Sequence, residues 1–236
     1  MSTAGERAPG NDTTFVAGAT ADGLAVVPVP GVDYWRRRAI ALGDRAVVNL
    51  DHPVDGDLDA VADGHRAQLF PLLRAELTGA ERTVLDLGCG TGRLTPGLAA
   101  LLGGRAIGVD PVAELLALAP PHPDVEYRRM DEAVLPVGDG EVDVVFTSLV
   151  LGGIPMPALG RTMAEIRRVL APGGLVFLSE SVSDGDDAAH WATRTAADYR
   201  ALLPWAGLRE TGGFDDAGDA IAVLVGRAPA DGAPDR

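Results

Sequence analysis

The residue pattern predicts a doubly wound α/β fold: a mostly parallel, seven-stranded sheet with helices on both faces and a small N-terminal helical cap. Three observations predict it. From Thr83 onward, short runs rich in Val, Leu and Ile alternate with helical stretches. The apolar residues Val84, Leu85 and Leu87 suit a strand covered on both faces. That strand runs straight into Gly88-Cys89-Gly90-Thr91-Gly92 and then a helical stretch. The glycines let the backbone turn sharply and let a ligand approach, and the helix start offers free N–H groups to whatever lies in the turn.

Taken in order, residues 1–31 are rich in Gly, Ala, Pro, Thr and Asp, lack a helical period and read as a poorly ordered arm. Residues 32–80 form the cap. In it, 33–42 reads as a short helix with Asp33 as N-cap, 45–50 as extended, and 55–78 as a longer helical region in which Pro71 makes a kink or a new first turn. Gly79 closes that region. The body, 81–228, places strands at 83–87, 105–109, 125–128, 142–147, 175–179, 208–212 and 220–226. Helices fall between them at 94–102, 112–118, 157–170 and 187–203, and 229–236 is a tail.

Composition narrows the function. Hydrophobic residues make up 47% and charged residues 23%, as in ordinary globular proteins. The net charge of −14 disfavours a nucleic-acid partner, and the basic cluster Arg36, Arg37 and Arg38 is an isolated one. Cys89 is the single cysteine, so no disulfide forms within the chain. No apolar segment follows the N-terminal charges as a signal peptide would require, and the uncharged stretch 144–160 is broken by Gly152, Gly153, Pro155 and Pro157. A cytoplasmic protein without a membrane partner, monomeric or homodimeric, is expected.

The glycine turn is not a dinucleotide fingerprint. Counted from Gly88, the third glycine position holds Arg93; counted from Gly90, it holds Thr95. A P-loop fails as well, because the chain contains no lysine. The pattern that fits is Asp-x-Gly-x-Gly-x-Gly, in which Asp86 would repel a pyrophosphate but suits a cationic amino-acid group.

Residues 84–95 therefore resemble motif I of the class I S-adenosylmethionine (SAM) dependent methyltransferases, of the bacterial small-molecule type. The resemblance runs as ordered motifs from about Thr83 to Arg227 and implies a Rossmann-like fold and SAM as cofactor. It implies that Asp86, Gly88, Gly90, Thr91 and Gly92 hold the methionine end of SAM. Asp110, followed by Pro111, is placed to accept the ribose hydroxyls, and an N-cap for the next helix is its structural alternative. In Met130-Asp131, the acid would meet the adenine amino group and the methionine would pack on the ring. Ser148 ends the fourth strand, where the backbone of relatives passes close to SAM. Tyr34 and Arg38 would reach the cofactor from the cap, while Asp143 and 171–174 are structural.

The methyl acceptor is less defined. Many relatives place a histidine after the fourth strand, where this chain has Gly152-Gly153-Ile154. Glu180 and His190 are the candidate catalytic groups, and Trp191, Arg194 and Tyr199 the candidate acceptor-binding ones. His65 is a weaker candidate and Trp35 reads as core. No cluster has metal-ligand spacing, and no metal is expected. The small cap favours a small-molecule acceptor, and the lysine-free composition resembles the tailoring enzymes of high-GC bacteria. The alternatives are a SAM-consuming enzyme of other chemistry, such as SAM cyclisation, or a non-catalytic SAM-binding subunit.

Overall fold

The computed structural model describes residues 31–49, 51–52, 57–131, 133–183, 185 and 191–230. Residues 1–30 of the arm expected at 1–31, residues 231–236 of the tail expected at 229–236, and His190 lie outside the described residues.

Seven strands form one sheet in the order β3-β2-β1-β4-β5-β7-β6. They are β1 (Thr83–Leu87), β2 (Arg105–Asp110), β3 (Val125–Arg129), β4 (Val142–Ser148), β5 (Leu170–Ser181), β6 (Arg209–Asp216) and β7 (Asp219–Arg227). The first five run parallel. β7 lies antiparallel to β5, and β6 antiparallel to β7. Between β1 and β4 the order reverses: β2 and β3 extend one way, β5 the other. In an open parallel sheet such a switch leaves a crevice beyond the carboxyl ends of the two central strands.

Two apolar layers sandwich the sheet. On one face Leu85, Leu87, Val145 and Leu178 pack with Leu159, Met163 and Ile166 of α5 (Met156–Val169) and Tyr199 of α6 (Ala196–Leu202). On the other, Val84, Val144, Phe146 and Phe177 meet Leu69 and Leu73 of α2 (Leu58–Glu76) and Leu98 of α3 (Thr95–Leu102). Strand residues alternate between faces, so β1 sends Leu85 and Leu87 into one layer and Val84 into the other.

The cap differs from its expected form. α1 (Val32–Leu42) begins after Gly31, whose φ of 93° makes the entry turn, and Asp33 lies within its first turn rather than at the N-cap. Within the stretch expected to be extended, residues 45–47 instead belong to a 3-10 helix, Gly43–Val47, whose Ala46 is fully buried, and Val48 after it is extended. α2 is a single helix with Pro71 inside it, is capped by the Asp57 side chain, and ends at Glu76, ahead of Gly79. α4 (Ala113–Leu116) is a single turn. Of the helix expected over 187–203, residues 187–190 lie outside the described residues, 191–195 are not helical, and α6 spans seven residues with its start set by a capping box between Thr195 and Asp198.

Candidate active site

One cavity of about 1000 Å³ opens at the sheet's switch point, under α1 and the 3-10 turn. Its floor is the turn after β1. Gly88 (φ 71°) and Gly90 (φ 56°) hold left-handed conformations that suit glycine. A Cβ on Gly88 would stand 2.5 Å from Val150 Cγ2, and one on Gly90 2.7 Å from Val47 Cγ1. The cap thus seats directly on the glycine turn through Val47, and a bare backbone is presented to the cavity.

Asp86, Asp110, Pro111, Met130, Asp131 and Ser148 all line this cavity, as do Tyr34 and Arg38 of α1. Asp110 accepts hydrogen bonds from Gly90 N at 2.9 Å and Val112 N at 2.8 Å. It stands two residues ahead of the Val112 N-cap of α4, so the capping role weighed from sequence does not apply. Its carboxylate instead ties β2 to the glycine turn, one backbone N–H on each oxygen, and each oxygen keeps a lone pair for a ligand. Burial pushes its carboxyl up to about 6 against those two N–H groups. Burial likewise lifts Asp86 to about 6, opposed by the Thr95 hydroxyl, 2.6 Å away, and the Arg93 charge, and assisted by Asp110.

Other expected ligands take different positions. Gly92 and Thr91 are off the cavity wall. The space that a Cβ on Gly92 would need is filled by the Tyr127 ring of β3, so this glycine serves packing between turn and strand. Arg38 spends its guanidinium on the cap itself: Nε donates to Ala46 O at 2.8 Å and Nη2 to Val48 O at 3.0 Å, and the group lies over the Trp35 ring.

Glu180 is corrected as a catalytic candidate. It is fully buried and does not line the cavity. Its carboxylate accepts from Thr147 Oγ1 at 2.8 Å, from Val150 N and from Leu151 N at 3.1 Å, clamping the loop after β4. Burial lifts its carboxyl to about 7 against those donors and the Arg194 charge. Arg194, expected at the acceptor, is buried and donates to Leu151 O at 3.0 Å. Tyr199 is a core residue whose hydroxyl donates to Ser181 O. Of the three expected acceptor-binding residues, Trp191 alone reaches the cavity.

The Gly152-Gly153 pair also has a reason. Trp191 fills the place of a Cβ on Gly152, and Trp35 Nε1 would stand 2.8 Å from one on Gly153. The two indoles meet edge to face at 6.5 Å. Two tryptophans thus wall the cavity beside the Gly152-Gly153 pair, and Trp35, read as core from sequence, does both, since it also packs against the apolar cluster of the cap.

Residues that sequence reasoning missed come from the β6–β7 hairpin. Ala217 (φ 55°) and Gly218 (φ 98°) form its two-residue turn, and both positive φ values fit the tight hairpin type. The paired residues flanking that turn, Asp216 and Asp219, line the cavity together with Asn49 of the cap. Asn49 Nδ2 donates to Asp216 O at 3.1 Å and Asp219 Oδ2 at 3.0 Å, fastening the hairpin to the cap. Asp-Asp-Ala-Gly-Asp is readable as a turn, but its approach to residue 49 across the fold is not a local signal.

Comparison with known proteins agrees with this geometry. Residues 84–174 match the methyltransferase domain family. An uncharacterized methyltransferase of Mycobacteroides abscessus is 36% identical over 115 residues, 46% of this chain and 43% of that protein. The ubiquinone biosynthesis O-methyltransferase of Methylococcus capsulatus is 37% identical over 113 residues, 45% of this chain and 46% of that protein. The chain spans less than half of the length of these curated relatives. Among solved structures, the cyclase SpnF aligns with a TM-score of 0.61 at 18% identity, over 86% of this chain and 98% of its own, a likeness of fold. The chain carries a class I SAM-dependent methyltransferase domain, and the cofactor of that domain is SAM. No helix among the described residues is long and apolar enough to cross a membrane.

Proposed function

We propose that this chain transfers the methyl group of SAM to a small-molecule acceptor, in a tailoring step of bacterial biosynthesis. One observation carries the reading: a single cavity is lined by the glycine turn, Asp110 and Met130-Asp131 and also by Trp35, Trp191 and Asp216. The glycine turn and the residues beside it fit SAM. A bare backbone at Gly88 and Gly90 leaves room for the methionine end, with Asp86 beside it for the ammonium. Asp110 has lone pairs for the ribose hydroxyls, Asp131 an acceptor for the adenine amino group, and the buried Met130 an apolar face for the ring. SAM supplies an electrophilic methyl group on a sulfonium.

The chain's own contribution is alignment and exclusion of water. The Glu180 clamp fixes Val150 on the wall and Leu151 behind it, and the two indoles stand on the same wall. The high-GC type of composition supports a tailoring role by association alone. Incubation of the full chain with methyl-labelled SAM and a panel of small hydroxyl, amine and thiol acceptors tests the reading. Labelled product with S-adenosylhomocysteine is expected. Methylthioadenosine without labelled acceptor would replace methyl transfer by SAM cyclisation.

A further inference from the structure

Arg93 directly follows the glycine turn, lines the cavity and is half-buried. Its side chain makes no ion pair with a carboxylate among the described residues. Its partner is an imidazole instead: Nη1 lies 2.6 Å from Nδ1 of His65 on α2. A guanidinium only donates, so Nδ1 accepts, and the His65 proton sits on Nε2, 2.9 Å from Asp216 Oδ1. His52 Nε2 lies 2.9 Å from the same oxygen. The ligand atoms of His52, His65 and Asp216 fall within 4.8 Å of one another, a spacing that a metal could use. A metal on His65 Nε2 would need the lone pair there and an acceptor behind Nδ1, where Arg93 donates.

The series Arg93, His65, Asp216 has a different product: a fixed cation. A carboxylate in the place of His65 would discharge Arg93, whereas a neutral imidazole holds Nη1 and leaves the positive charge unspent. Nε and Nη2 donate to no acceptor among the described residues and are not buried, so an anion in the cavity can reach them. Burial pushes the Arg93 pKa down, and the charges of Asp216 and Asp86 oppose it from beyond ion-pair distance. Asp86 lines the same cavity. A carboxylate and a guanidinium that sense each other without pairing match the ammonium and carboxylate of one α-amino acid. Two other arginines on the wall are placed differently. Arg38 is committed to Ala46 O, Val48 O and the Tyr34 hydroxyl. Arg129 is exposed at the end of β3, next to the Met130-Asp131 pair read as the adenine site.

We propose that Arg93 holds the carboxylate of the methionine end of SAM, with Asp86 taking the ammonium, and that His65 positions the guanidinium without discharging it. This rests on the reading of the cavity as the SAM site. Arg93 is a binding residue in this assignment, and His65, backed by Asp216, is a positioning residue.

Calorimetric titration of the full chain with S-adenosylhomocysteine and with its decarboxylated analogue, which keeps the adenosine, the sulfur and the amine, tests the assignment. The wild type is expected to bind S-adenosylhomocysteine about tenfold tighter or more, the worth of one charge-assisted hydrogen bond. In Arg93→Met that preference disappears, while the decarboxylated analogue binds within about twofold of its wild-type affinity. His65→Leu keeps the charge but not its support, and the preference falls about threefold; an untouched preference there removes His65 from the assignment. Equal binding of the two ligands to the wild type, a preference that survives in Arg93→Met, or an equal loss of both ligands in the folded variant overturns the carboxylate assignment alone. A crystal structure of the wild type with S-adenosylhomocysteine decides the matter if Arg93→Met does not fold. The carboxylate is expected within hydrogen-bonding distance of the Arg93 guanidinium, and a carboxylate held by other groups overturns the assignment. Failure of the wild type to bind either ligand overturns the reading of the cavity as the SAM site and the assignment with it.

Discussion

Glu180 and Gly88 show how single residues set this site without touching the reaction. The Glu180 carboxylate satisfies two backbone N–H groups and one hydroxyl inside the protein. Truncation to alanine leaves those buried donors without an acceptor and opens a void beside the loop after β4. Glu180→Ala is expected to lower unfolding free energy by about 3 kcal/mol, measured by urea denaturation. A variant as stable as the wild type would show the clamp to be dispensable. Gly88 carries a different constraint, since alanine there meets both a left-handed φ and the Val150 side chain. Gly88→Ala is expected to weaken S-adenosylhomocysteine binding by about tenfold or more, from roughly 1–2 kcal/mol of backbone strain plus the Val150 overlap. Calorimetry with unchanged affinity would mean that the floor of the cavity yields freely.

At the scale of elements, the loop after β4 and the cap are one wall. Gly152 has no room for a Cβ because the Trp191 ring lies there, although its φ is ordinary. Gly152→Ala should push Trp191 out of place, seen as a red shift in indole emission, with cofactor affinity retained because the glycine turn is untouched. An unshifted spectrum would show that the ring relocates within the cavity instead. The strand and helix pattern of the body was legible because buried parallel strands write near-continuous apolar runs, as Val84 to Leu87 and Val142 to Phe146 do with one acid in each. The wall around the glycine turn was legible for a related reason: its residues cluster at strand ends and within one turn. The rest of the wall was not. Trp35, Asn49, Trp191 and Asp216 arrive from four separate segments, and their juxtaposition depends on the sheet order. Strand β6 was read short because Gly212, Gly213, Asp215 and Asp216 are poor strand formers, yet pairing with β7 extends it to the turn. Glu180 misled in the opposite direction, since an acid at a strand's carboxyl end looks available until its donors are seen.

The molecule as a whole links pH, stability and cofactor binding. Burial lifts Asp86 and Asp110 to about 6, while Glu180 stands at about 7 for the same reason. Carboxyls raised above their unfolded values stabilise the protein in acid, and that contribution is lost as pH rises through the folded value. Asp216 behaves oppositely: the two imidazoles outweigh burial and hold its carboxyl at about 2, and Glu81, with its backbone N–H, Thr78 and Arg227 partners, also lies at about 2. Their contribution is complete above the unfolded carboxyl range and fades only as pH falls towards 2. Between about pH 5 and 8, then, Asp86, Asp110 and Glu180 titrate. Charged Asp86 and Asp110 are the forms suited to an ammonium group and ribose hydroxyls. Binding should weaken as pH falls through about 6, by about tenfold per pH unit for each group below its own value. The rise in melting temperature caused by saturating S-adenosylhomocysteine should accordingly be small at pH 5 and grow to a plateau near pH 8, although the ligand-free protein loses part of its stability over the same range. Differential scanning calorimetry across that range measures both trends. A ligand-induced shift that stays flat with pH would remove Asp86 and Asp110 from the binding equilibrium. In Asp86→Asn the growth should flatten to the share left by Asp110.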